Sequence, residues 1–110
     1  MRLEPRARAG LAPWTIALLT LAVAPVHAAN ALAQKYGCLA CHASSAKLVG
    51  PSYQDVGAKY ADDKQAVAHI VDSIRAGGSG RWGDMAMPPQ PQVKDADAKK
   101  LAAWILAGAK

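Results

Sequence analysis

The 110-residue chain has no phenylalanine and only two cysteines. Aromatic packing therefore falls to three tryptophans and three tyrosines, and beyond the cysteine pair no thiol is left for a structural bridge. Its longest apolar run, Leu11 to Ala24, has 14 residues and is broken by Pro13, Thr15 and Thr20. That is short of the roughly 20 needed to cross a bilayer as a helix. No arginine-rich stripe with interleaved aromatics is present, which removes the usual footprint of nucleic-acid binding. No segment alternates convincingly between polar and apolar residues, so strands are not expected and the fold class is all-α.

The apolar run has a context of its own. Arg2, Arg6 and Arg8 precede it as a basic region, and Val26, His27 and Ala28 supply tolerated residues before a cut. This order reads as a Sec-type signal peptide over residues 1–28, cleaved after Ala28 or one residue later. An uncleaved anchor is the poorer reading, and no stable membrane insertion is expected after cleavage. Residues 29–110 would then form one small domain in the bacterial periplasm, expected to be a monomer. Its ten lysines and arginines against seven aspartates leave a net charge of about +3. A chain of this length has a marginal core by itself and gains from a large apolar cofactor inside it.

Cys38, Leu39, Ala40, Cys41 and His42 carry the most chemistry. Two thiols three positions apart reach the two vinyl groups of one porphyrin, and the following histidine is held where its imidazole can bind iron. The spacing therefore points to a covalently attached c-type haem. A thioredoxin-like thiol pair, half a zinc site and a local disulfide share the Cys-x-x-Cys pattern. The first wants a βαβ context that is missing. Zinc wants a fourth ligand, for which only His27, in the expected leader, and His69 are available.

The mature segment reads as helix, loop, helix, long loop, helix. Asn30 is expected to cap a first helix running to Tyr36, with Gly37 ending it. Asp62 or Asp63 is expected to cap a second, whose stripe is Val67, Ile70, Val71 and Ile74 and whose stop is Gly77-Gly78. Asp95 or Asp97 would open the last, with Ala98, Leu101, Ala102 and Ile105 on one face and Trp104 widening it. A further short helix fits Tyr53 to Tyr60. The connection Gly77 to Lys94 is long enough to be functional, and it holds Trp82, Met85, Met87 and Pro88-Pro89. A thioether is a soft ligand suited to haem iron opposite histidine, although methionine more often fills gaps in packing. Prolines after Met87 stiffen the backbone there, whereas Met85 sits in a looser Gly83-Asp84-Met85-Ala86 stretch.

Gly37 to His42, then Val49-Gly50-Pro51-Ser52-Tyr53-Gln54-Asp55-Val56, then Trp82-Gly83-Asp84-Met85-Ala86-Met87-Pro88-Pro89, then Leu101 to Leu106, resemble the small bacterial class I cytochromes c of the cytochrome c-551 (c8) type. The resemblance spans essentially all of residues 29–110. It implies three to five helices wrapped around one haem c, with Cys38 and Cys41 as thioethers and His42 as proximal iron ligand. It further implies that Pro51 offers its carbonyl to that histidine, that Met87 is the distal ligand and that Trp82 donates to a haem propionate. Three positions depart from the pattern. Gln90 replaces an asparagine near the ligand sulfur, Ala33 replaces a bulky aromatic, and Ser73 stands where a basic propionate partner is common, with Arg75 the nearby alternative.

The function implied is one-electron carriage with both axial positions filled, without catalysis. Donors would be quinol-oxidising cytochrome complexes or other cytochromes, and acceptors periplasmic reductases or terminal oxidases. Lys47, Leu48 and Val49 are candidates for the edge where such partners meet the haem, against the plainer reading of lysine as a solvated side chain. The competing class is a haem sensor or small peroxidase-like enzyme with a displaceable distal ligand. A bis-histidine variant would use His69, which lies off the apolar stripe of its helix.

Overall fold

A computed structural model of the chain describes residues 9–13 and 26–110. Most of the expected leader, residues 1–8 and 14–25, lies outside the described residues. Among the described residues four α-helices form: α1 Val26–Lys35, α2 Tyr53–Lys59, α3 Ala66–Ala76 and α4 Asp95–Leu106, with a short 3-10 turn at Cys38–Ala40. Among the described residues no strand forms, only an isolated antiparallel bridge between Gly78 and Met87. The fold is all-α, and none of the described helices is long and apolar enough to cross a membrane.

Helix α4 is the axis against which α1, α2 and α3 pack. Its stripe behaves as the periodicity predicts, with Ala98, Leu101, Ala102, Trp104 and Ile105 all buried. Ile70 and Ile74 of α3 and Ala33 of α1 join them in one core with Tyr53, Val93 and Ala109. Ala33 is fully buried, so the small side chain at this position is accommodated by close packing of α1 into the core. Val67 departs from the expected stripe: it is 39% exposed and lines an open groove with Lys99 and Leu106 of α4. Close approach also governs α2. A Cβ added at Gly57 would lie 2.5 Å from the Ile105 carbonyl oxygen, so glycine inside this helix is what lets α2 lie against the backbone of α4.

The helix starts differ from the expected caps. Helix α1 is already formed at Val26, so Asn30 lies within it and caps nothing, and the expected cut after Ala28 falls inside this helix. Gln65 occupies the cap of α3. Asp63 acts from two residues outside, accepting the Gln65 N–H at 2.8 Å. At α4 the cap is Lys94, whose side chain makes no capping bond. Asp95 and Asp97 instead occupy the first turn, where carboxylates favour the positive end of the helix dipole. The stops follow expectation. Gly37 (φ 72°) and Gly77 (φ 68°) adopt the positive φ that glycine tolerates best.

One long-range bond ties the ends of the fold together. The Tyr36 hydroxyl donates to the Asp97 carboxylate at 2.6 Å, joining the end of α1 to the start of α4. The shared proton holds the phenol above its ordinary pKa and the carboxyl below its own.

Candidate haem site

A cavity of about 230 Å³ opens between the Cys38–Pro51 segment, α2, the end of α3 and the Gly77–Gln90 loop. Cys38, Cys41, His42, Pro51, Trp82 and Met87, the six residues singled out from the sequence, all line it. Sequence spacing accounts for the first three. Gly37 turns the chain sharply, and the amides of Cys41 and His42 then fold back onto the Cys38 carbonyl at 3.1 and 3.0 Å. One turn of tight helix thus presents both thiols and the imidazole to the same space.

The imidazole is held on three sides. Its Nδ1 lies 2.7 Å from the Pro51 carbonyl oxygen. A carbonyl can only accept, so Nδ1 carries the proton and Nε2 is the nitrogen left with a free lone pair. The Tyr53 ring stacks on one side, with centroids 5.3 Å apart and planes 23° from parallel. Gly50 lies against the ring as well: a Cβ there would come within 2.4 Å of Cε1 and 2.8 Å of Nδ1. A 2.8 Å bond from the Gly50 amide to the Cys41 carbonyl draws this glycine up to the ring. Gly50 and Tyr53 are positioning residues that motif reading passed over, although both stand in the quoted Val49-to-Val56 stretch.

Tyr53 also connects the site to the core. It is buried, packs edge-on against Trp104 with centroids 5.1 Å apart, and enters α2 directly after Ser52. The Ser52 side chain accepts the Asp55 amide at 3.1 Å, a standard helix cap that fixes where α2 begins. Burial, with the Cys38 and Cys41 thiols nearby, pushes the Tyr53 phenol well above its ordinary pKa. Burial likewise raises the Cys38 thiol. Conversion of both sulfurs to thioethers would remove those ionisations from beside Tyr53.

The opposite wall comes from the loop. Gly78 and Met87 exchange backbone hydrogen bonds at 3.1 and 2.8 Å, and the Gln90 amide donates to the Ile74 carbonyl at 3.1 Å. Gly77 permits this contact, since a Cβ there would lie 2.4 Å from the Met87 carbonyl oxygen. Met87 is therefore pinned to the end of α3 as well as followed by two prolines. Met85 lines the same cavity but is 66% exposed. Gln90 turns its side-chain amide to the Pro88 carbonyl at 3.1 Å.

His69 lies elsewhere. Its Nδ1 meets the Asp63 carboxylate at 2.5 Å, and it is absent from the cavity wall. The Gln65 amide and then His69 hold the Asp63 carboxyl below its ordinary range. Among the described residues no three His, Cys, Asp or Glu side chains gather as a metal site. Arg75 lines a separate open groove with Asp95 between α3 and α4. The basic side chain brought to Ser73 is that of Arg81, whose Nη1 donates to the Ser73 hydroxyl.

Two thiols, an imidazole with its second nitrogen free, a thioether in a pinned loop and otherwise mainly apolar walls form a donor set suited to a covalently held, six-coordinate haem. Comparison with known proteins agrees with a covalently attached haem. The cytochrome c family model matches residues 26–109. Cytochrome c-552 of Nitrosomonas europaea is 48% identical over 93 residues, covering 84% of this chain and 90% of the relative. Cytochrome c-551 of Allochromatium vinosum is 47% identical over 92 residues, covering 83% and 98%. The crystal structure of wild-type Nitrosomonas europaea cytochrome c552 superposes with a TM-score of 0.71, covering 72% of this chain and 98% of that one.

Proposed function

The chain belongs to the cytochrome c family, as one of its class I bacterial members carrying covalently attached haem c, and from that premise we propose that it is a periplasmic, His/Met-ligated one-electron carrier. In this reading Cys38 and Cys41 hold the haem through thioethers and His42 binds the iron through Nε2. Pro51 fixes the orientation of that ring, and its hydrogen bond strengthens the imidazole as a donor. Met87 supplies the sixth ligand. The observation that carries the assignment is the pairing of an oriented His42 with a backbone-pinned Met87 across one cavity.

The haem iron supplies the Fe(III)/Fe(II) couple, and the protein's own residues set its conditions. A thioether opposite histidine in an apolar pocket favours the ferrous state and raises the potential. With His42 and Met87 both committed to the iron, oxygen, peroxide and nitrite would find no open site, which supports carriage over catalysis. Lys47 and Val49 line the cavity, and Val49 with Leu48 before it is about half exposed, which suits short-lived encounters with redox partners. Electrons would come from a cytochrome complex and pass to a reductase or oxidase. The basic region and short apolar run of residues 1–28 support export to the periplasm.

Purified from a periplasmic extract, the protein should have the mass of residues 29–110 plus one haem, and acidified organic solvent should leave the haem on the chain. Haem released into the solvent would overturn covalent attachment. Ready binding of carbon monoxide by the ferrous protein at neutral pH would overturn a filled sixth position.

A further inference from the structure

We propose that Arg81 is the cation that receives a haem propionate in this chain. The inference rests on the haem reading above and concerns a residue that the reading does not use. Arg81 lies in the cavity wall beside Ser73 and Trp82. Among the described residues it has no carboxylate partner, because the ion pairs there join His69 to Asp63 and Lys99 to Asp95. Its guanidinium rests instead on the neutral hydroxyl of Ser73, which in turn donates to the His69 carbonyl at 2.9 Å. A guanidinium presents five donors in a planar fork matched to a carboxylate, and one hydroxyl satisfies few of them. Haem is apolar except for its two propionates, so an unpaired guanidinium at an otherwise mainly apolar wall is complementary to that end of the cofactor.

The segment that carries Arg81 is braced from a second helix. Lys59 of α2 donates from Nζ to the Arg81 carbonyl at 2.8 Å and stands 4.5 Å over the Trp82 ring. A turn closed by the Gly80 amide on the Gly83 carbonyl at 3.1 Å, with both glycines at positive φ, sets Arg81 and Trp82 at its head. Lys59 thus holds the strip in place while Arg81 reaches across to α3. The other charged groups around this wall are Asp55 of α2 and Lys47 of the flanking loop; His69 of α3 lies outside it, with its ring engaged with Asp63. Asp55 opposes an added carboxylate, which increases the need for a cation there.

The test measures the reduction potential of the holoprotein against pH in wild type, Arg81→Gln and Arg75→Gln. A propionate ionises at lower pH beside ferric than beside ferrous iron, so the potential falls with rising pH between those two values. A paired cation lowers both values by about one unit or more. In Arg81→Gln the sloping window should therefore move up by about one pH unit. Above the window the potential should be lower, because the cation no longer disfavours the ferric state. Ser73→Arg added to Arg81→Gln should return the window toward wild type. In wild type, the ¹⁵N shift of Arg81 Nε should titrate through the same window, a measurement that needs no variant to fold. A window unmoved in Arg81→Gln, or moved as far in Arg75→Gln, overturns the assignment, as does a silent Arg81 Nε. The visible spectrum and near-infrared sulfur-to-iron band of the wild type report separately on attachment and ligation, so failure of the haem reading is distinguishable.

Discussion

Replacing Gly50 with alanine tests the seat of the proposed proximal ligand. The new Cβ would lie 2.4 Å from Cε1 of His42, where carbon atoms normally keep about 3.5 Å, so something must yield by about 1 Å. The ring is poorly placed to move away. Its Nδ1 is 2.7 Å from the Pro51 oxygen, Tyr53 stacks on it, and an iron bond at Nε2 would tether it further. The backbone is no freer, since the Gly50 amide is bound to Cys41 at 2.8 Å and its carbonyl accepts from Leu48 at 3.1 Å. A displacement of that size takes the Nδ1 bond out of hydrogen-bonding range, losing about 1 kcal/mol. Overpacking adds about 1–3 kcal/mol. The expected loss is about 2–4 kcal/mol, or roughly 10–30 °C in Tm for a domain of this size. Guanidinium unfolding of the holoprotein followed by circular dichroism measures it. A variant within about 0.5 kcal/mol of wild type, with an unchanged visible spectrum, would refute the three-sided seat.

Met87→Ala should abolish the weak near-infrared sulfur-to-iron band of the ferric protein, lower the potential substantially and admit carbon monoxide, while Met85→Leu leaves all three nearly unchanged. The reverse pattern transfers ligation to Met85, and no change in either variant removes methionine from the iron. Changing both Cys38 and Cys41 to alanine should leave no covalent holoprotein in the periplasm, assayed by haem-stained gel; a stained band at the protein's mass would contradict thioether attachment. Tyr36→Phe removes the bond to Asp97, and its effect on stability should depend on pH at both ends. The Asp97 carboxyl is lowered in the fold, so its contribution is present above the ordinary carboxylate pKa near 3.9 and disappears as pH falls through the lower folded value. The Tyr36 phenol is raised, so its contribution is present below about pH 10 and disappears as pH rises through the higher folded value. The stability gap between wild type and Tyr36→Phe should therefore be widest and level between about pH 5 and 9. A gap that persists undiminished at about pH 2 would show that the bond stabilises by packing alone.

Local pattern settled what a few neighbouring residues decide together. The spacing of Cys38, Cys41 and His42 is a property of five positions, and a single tight turn after Gly37 suffices to express it. The stripe of α4 and the inner half of the α3 stripe were readable because a helix repeats its buried face every three to four residues. The all-α class followed from the same periodicity. Caps were less legible. A carboxylate two residues outside a helix, as with Asp63, satisfies an amide as well as one at the cap itself, and several aspartates compete at each start.

Only the tertiary structure decided which distant segments meet. A glycine inside a helix costs about 1 kcal/mol against alanine, and what Gly57 gains for it, close approach to the Ile105 carbonyl, lies 48 positions away. The crowding of Gly50 against His42 depends on a loop closing on itself through one amide. Whether Arg75 or Arg81 faces the cavity depends on the direction in which α3 rolls against α4 and on the path of the loop that returns beside it. Arg75 is on the same helix as Ser73 and two positions away, yet a helix turns about 200° over two residues and sends it to the opposite groove. Arg81, eight positions on, comes back to the Ser73 hydroxyl because Gly77 and Gly78 reverse the chain and Lys59 holds the returning strip. Sequence determines such contacts only through the whole fold, since each is the sum of helix rotations and loop closures that no short window contains.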